Sequence, residues 1–138
     1  MKIAVIDGLG GGLGGQIIEH LKKELGNRAE ITALGTNSAA TSRMINNGAD
    51  QGATGENSIR VTTKKVDIIT GPLGIIIPDS MFGEITNVMA EAILNSPARV
   101  FLIGNKQPHV ELIGLKEQSI SQLVDELALR IKRYTANG

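Results

Sequence analysis

The residues best able to do chemistry sit where apolar runs end. Asp7 closes the run Ile3–Ile6 and is followed by six glycines within eight residues, Gly8, Gly10, Gly11, Gly12, Gly14 and Gly15. Thr36, Asn37 and Ser38 follow the run Ile31–Leu34, and Thr54-Gly55-Glu56-Asn57 follow Ala49–Ala53. Gly71-Pro72 follow Val66–Thr70, and Gly104-Asn105 follow Val100–Ile103. The first of these segments has the order strand, glycine loop, helix, because Ile17, Ile18 and Leu21 begin a helical repeat just beyond it. That order brings backbone N–H groups and the positive end of a helix dipole up to a phosphate. Glycine allows the turn and lets the backbone come close to a ligand. Asp7 is the odd member. A carboxylate beside a phosphate loop repels the phosphate unless it binds a metal, a ribose hydroxyl or the N–H groups of the loop itself.

Gly10, Gly12 and Gly15 fit the dinucleotide pattern G-x-G-x-x-G, and Gly8, Gly12 and Gly14 fit G-x-x-x-G-x-G. The second pattern, with Leu13 between its last two glycines, resembles the loop of short-chain dehydrogenases. The bland alternative is a tight turn that binds nothing. An acid at the end of the second strand, expected for the ribose of NAD, is missing. Thr36, Asn37 and Ser38 stand there, with Arg43 beyond, a set that suits a 2′-phosphate such as that of NADP. Asn37 or Ser38 capping the next helix accounts for the same residues. The expected binding set is therefore Asp7, Gly8, Gly10, Gly11, Gly12, Gly14, Thr36, Asn37, Ser38, Thr54, Asn57 and Gly71, with NADP or another nucleotide as ligand and no metal.

Several reactions are excluded by the residues present. The Tyr-x-x-x-Lys pair of the short-chain dehydrogenases is absent, since the single tyrosine is Tyr134 and position 138 is glycine. Gly14-Gly15-Gln16 stands where a P-loop would need its lysine. Ser80 and His109 exist without a G-x-S-x-G elbow. Asp79 and Glu84 read as carboxylates complementing the start of a helix. His20 and His109 read as surface histidines.

With 138 residues the chain reads as a single domain, and with 41% hydrophobic but 2% aromatic residues its core must be aliphatic, as in helix-covered parallel sheets. Fourteen basic residues balance fourteen acidic ones without a basic block, which argues against a nucleic-acid surface. Cysteine is absent, so disulfides and thiol chemistry are out. Neither a signal-type leader nor a spanning apolar run is present, so a cytoplasmic, soluble protein without membrane contact is expected.

The elements that must position these loops follow from periodicity. Helices are predicted over about 15–25, through 39–45, over 58–65 (where the β-branched Ile59, Val61, Thr62 and Thr63 would also suit a strand), from 83 to 95, and from 119 to 134. Strands are predicted at 3–6, 31–34, 49–53, 66–70 and 100–103, with 109–115 as an edge strand and 73–77 either extending the sheet or packing as a buried loop. The alternation gives an α/β, three-layer, Rossmann-like domain with a mainly parallel sheet.

Four motifs in order, Ile6-Asp7-Gly8-x-Gly10-Gly11-Gly12, Ala33 to Asn37, Gly52 to Asn57 and Gly71 to Ile75, resemble a small bacterial family known as a domain of unknown function. The resemblance implies a stand-alone cytoplasmic protein and carries no activity with it. Three readings follow. The leading one binds a nucleotide or other phosphorylated small molecule. The second is a small enzyme using Asp7, Glu56, Asp79 or His109 as acid–base groups. The third is a structural subunit whose segment 73–77 meets a partner. A chain of this size has little room to enclose a ligand alone, which suits a homodimer.

Overall fold

The computed structural model describes residues 1–107 and 109–137. In chain order the elements are β1 (Lys2–Asp7), α1 (Gly12–Leu25), β2 (Glu30–Gly35), α2 (Ser38–Asn46), β3 (Gln51–Thr54), α3 (Glu56–Thr62), β4 (Ile68–Pro72), α4 (Asn87–Leu94), β5 (Arg99–Ile103) and α5 (Ile120–Asn137). Short 3₁₀ turns occupy Gly26–Arg28 and Leu73–Ile76.

The five strands form one sheet in the order β3-β2-β1-β4-β5, and every pairing is parallel. The central strand β1 is buried on both faces, so its side chains can all be apolar and still alternate in destination. Ile3 and Val5 point into a layer built by Ile17, Ile18 and Leu21 of α1, Met44 of α2 and Val124 and Ile131 of α5. Ala4 and Ile6 point the other way, onto Ile59 of α3 and Met89 and Ile93 of α4. Three layers result, and the core is aliphatic as the composition requires.

Strand order reverses between β1 and β4. The chain leaves β1 toward β2 and β3, then returns to β4 on the other side of β1. The loops after β1 and β4 therefore diverge from neighbouring strands and leave a crevice at their carboxyl ends.

Three local expectations are corrected and one open alternative is decided. Residues 109–115 form no strand and are largely exposed, because β5 already ends the sheet and the alternating residues find no partner. Of the two alternatives for 73–77 the second is found: the segment leaves the sheet and packs as a 3₁₀ turn that buries Gly74 and Ile75. The helix predicted from 83 begins at Asn87, where the Thr86 side chain accepts the Met89 N–H at 3.2 Å. The helix predicted over 58–65 runs from Glu56 to Thr62.

Candidate functional site

The glycines after β1 divide into two kinds. Gly11 has φ +72°, and a Cβ on it would fall 2.7 Å from the Ala40 carbonyl oxygen. At Gly8 and Gly14 an added Cβ would crowd side chains instead, Thr36, Glu84 and Met81 at the first and Met44 and Asp7 at the second. These three are required by close approach between β1, α1, α2 and the segment before α4. Gly10 and Gly12 differ. Neither has a positive φ, and a Cβ on either would meet nothing within 4 Å. Among the described residues nothing calls for glycine there.

Asp7 resolves the question its position raises. Its Oδ1 accepts the Gly8 N–H at 2.8 Å and its Oδ2 accepts the Gly14 N–H at 2.7 Å. The carboxylate thus takes donors of its own loop, one of them in the first turn of α1. Burial pushes its pKa above the ordinary value, against the downward pull of these two bonds, and the nearby negative charge of Glu84 pushes the same way as burial. Among the described residues, the N–H groups of Gly10, Gly12 and Leu13 meet no protein acceptor.

Glu84 is the organising residue that the sequence reading assigned to a helix start. It precedes α4 and reaches back across the sheet edge. Its Oε1 accepts the Leu9 N–H at 2.8 Å, the Thr36 hydroxyl at 2.5 Å and the Asn37 amide at 3.0 Å. Burial acts to raise its pKa, but the three hydrogen bonds outweigh it and hold the carboxyl below its usual range. One carboxylate therefore ties the segment before α4 to the loops after β1 and β2.

A cleft of about 720 Å³ opens at the reversal of strand order. One wall is the loop Asp7–Leu13, another is Pro72 and residues 77–82, and Asn105–Gln107 with His109 complete it. Lys106 brings the cation. Among the described residues, the non-glycine residues with positive φ are Leu9, Asp79, Met81 and Phe82, and all four line this cleft. Such conformations cost of order 1–3 kcal/mol each and cluster at functional sites.

The predicted residues part company here. Asp7, Gly8, Gly10, Gly11 and Gly12 line the cleft, as do Asp79 and His109. Gly14 lies behind it, its N–H given to Asp7. Thr36 and Asn37 give their side-chain donors to Glu84, and Asn37 also caps α2 by accepting the Ala40 N–H at 2.9 Å. Ser38 is exposed on the first turn of α2. Thr54 pairs with the Thr41 hydroxyl at 2.7 Å, and Asn57 accepts the Arg60 guanidinium at 2.7 Å. Neither lines the cleft, nor does Glu56. Gly71 packs beneath the Ile6 carbonyl. Missed in the sequence were Lys106, Phe82 and Glu84. Phe82-Gly83 carried a turn signal, and Thr86 before an apolar repeat carried the helix-start signal that would have freed Glu84.

Comparison with known proteins adds the following. Residues 2–136 match the family described as Domain of unknown function (DUF3842). No curated protein matches the chain. Among solved structures, the dodecameric FMN-dependent UbiX-like decarboxylase from Escherichia coli O157:H7 is similar at 17% identity and a TM-score of 0.48, over 96% of this chain and 76% of that one. Among the described residues no helix is long and apolar enough to cross a membrane.

Proposed function

The chain belongs to the DUF3842 family, and from that premise we propose that it binds a phosphorylated small molecule, a nucleotide foremost, in the cleft between the glycine loop and residues 77–82. Gly10 and Gly12 are the observation that carries this. They are glycines with ordinary backbone angles and open space above them, on the cleft wall, next to N–H groups without a protein acceptor. Glycine there serves an approaching ligand, whose phosphate takes the N–H groups of Gly10, Gly12 and Leu13 at the start of α1 with Lys106 as counter-charge. The volume suits a compound of nucleotide size.

An NADP-type dinucleotide is the finer reading, with one amendment. A 2′-phosphate at Thr36–Ser38 would lie beside the Glu84 carboxylate, which already takes the donors of Thr36 and Asn37. The anionic end of the ligand is better served at the glycine loop, and ribose hydroxyls are better suited to Glu84.

The test is a thermal-shift panel with NADP, NAD, ATP, S-adenosylmethionine and inorganic phosphate. Ligand at about 100 times its dissociation constant stabilises by about 2.7 kcal/mol, a shift of several degrees for a domain of this size. Gly12→Val should abolish the shift and leave the unliganded melting temperature in place, since its side chain enters open space. A flat panel, or a shift that survives in Gly12→Val, removes the assignment.

A second reading has its own support. Asp79 and His109 line the same cleft and could exchange a proton with a bound compound. Turnover of a phosphorylated metabolite, lost in His109→Ala while binding persists, would establish it.

A further inference from the structure

The chain contains three aromatic residues, Phe82, Phe101 and Tyr134. Phe101 and Tyr134 pack edge to face with ring centroids 5.6 Å apart, and the Arg99 guanidinium lies over both rings. Phe82 is used differently. It is 98% exposed, lines the cleft and holds φ at +56°. A chain this poor in aromatics leaves one in water, on a backbone conformation that a phenylalanine resists.

The loop around it is closed by several bonds. The Asp79 N–H reaches the Ile85 carbonyl at 2.7 Å, and the Gly83 N–H reaches the Asp79 carbonyl at 3.1 Å. The Glu84 N–H reaches the Met81 carbonyl at 3.1 Å, and the Ser80 hydroxyl donates to the Gly74 carbonyl at 2.5 Å. Glu84 ties the same loop to Leu9 and Thr36. The ring is thus presented by a loop held by several hydrogen bonds, on the cleft that the glycine loop also lines.

Resting on the reading of the cleft as a phosphate-binding site, we propose that Phe82 is the stacking platform for an aromatic base, so that the ligand class is a nucleotide and not a sugar phosphate or a free phosphate. The same cleft is lined by Phe82, Ile77, Pro78 and Met81 and by the loop that carries the N–H donors. A nucleotide presents a planar π-face and an anion at its two ends. A sugar phosphate would satisfy the donors and leave the ring in water.

Calorimetric titration of the full chain with ADP, UDP and pyrophosphate tests this. Both nucleotides should bind about tenfold more tightly than pyrophosphate, the gain of one base–aromatic stack. Phe82→Ala should remove that gain and leave pyrophosphate affinity and the melting temperature unchanged, whereas Phe82→Tyr should keep it. Equal affinity for nucleotides and pyrophosphate, or a nucleotide advantage that survives in Phe82→Ala, overturns the proposal and leaves the phosphate site standing. A dimer that dissociates in Phe82→Ala without ligand also overturns it, because the ring would then belong to an interface between two copies. Failure of pyrophosphate and both nucleotides alike removes the phosphate site itself, and the stacking role with it.

Discussion

The carboxyl ends of β2 and β3 and those of β1 and β4 carry the same kinds of residue and use them in opposite ways. After β2 and β3, Thr36 and Asn37 serve Glu84, Thr54 serves Thr41, and Asn57 serves Arg60. After β1 and β4, among the described residues, the N–H groups of Gly10, Gly12 and Leu13 have no protein acceptor and Phe82 borders a cleft, which Lys106 joins from beyond β5. Small, polar, glycine-containing loops are thus not in themselves a binding signature. What separates binding from architecture is whether the polar groups are already satisfied. The glycine loop contains the boundary: Gly11 and Gly14 belong to the architecture, Gly10 and Gly12 to the opening.

The largest effect should come from crossing that boundary by one residue. Gly11→Val puts a β-branched side chain at φ +72° and drives its Cβ into the backbone of Ala40. Strain and overpacking together should cost about 2–4 kcal/mol. Gly12→Val should stay within about 0.5 kcal/mol of the parent. Urea midpoints of the two variants measure the difference, and equal losses would erase the division.

Glu84→Gln comes next. It keeps the shape but removes the charge that strengthens three hydrogen bonds, a loss of about 1 kcal/mol at neutral pH. The pH dependence has a definite sign. The folded-state pKa of Glu84 lies below its ordinary 4.5, so its contribution is full above about 4.5 and disappears as pH falls through the lower folded value. The gap between parent and variant should therefore close on acidification below about pH 4.5. Asp7 works in the opposite sense: burial raises its pKa, so protonation favours the folded state. A gap that widens below pH 4.5 would contradict the role given to Glu84.

How much was legible beforehand follows the range of the interactions. The apolar run Ile3–Ile6, the glycine loop and the repeat of α1 are local, and the strand–loop–helix unit is found where the sequence put it. The parallel α/β class was equally readable, because five strands alternate with helices. The reversal of strand order between β1 and β4 depends on pairing between distant segments and left no local mark. Glu84 failed for the same reason, since its Thr36 and Asn37 partners lie 48 and 47 residues away. The helix predicted from 83 starts late, at Asn87, behind a turn in which Met81, Phe82 and Gly83 hold positive φ, and no propensity scale anticipates two successive non-glycine residues of that kind. Residues 109–115 alternate correctly but lack a neighbouring strand, and alternation is only half of what a strand needs.

An unsatisfied group away from the cleft has no ligand to serve and should only cost stability. Thr70 provides the case. It is fully buried in β4, next to Val5 of β1, and its hydroxyl meets no hydrogen-bond partner among the described residues. Thr70→Val is close to isosteric and removes the orphaned group. It should raise stability by about 0.5–1 kcal/mol, measured by thermal or urea unfolding, with ligand affinity unchanged. A loss of stability would mean that the hydroxyl does work the sheet depends on.

The smallest effect is the most direct check on where the site ends. Thr54 ends β3, the edge strand two positions from β1 and about 10 Å away at the usual strand spacing, and Asn57 follows it in the first turn of α3. Both are exposed; Arg60, the partner of Asn57, is exposed as well, and Thr41, the partner of Thr54, is buried but keeps its bond to the Asn37 carbonyl. Thr54→Val with Asn57→Ala should therefore leave ADP affinity within about twofold and cost no more than about 0.5–1 kcal/mol of stability. A drop of tenfold or more would mean that the ligand runs along the sheet edge past Glu84 to β3. In that event the satisfied side chains there would have to exchange their partners on binding, and satisfaction in the free protein would no longer mark the limit of the site.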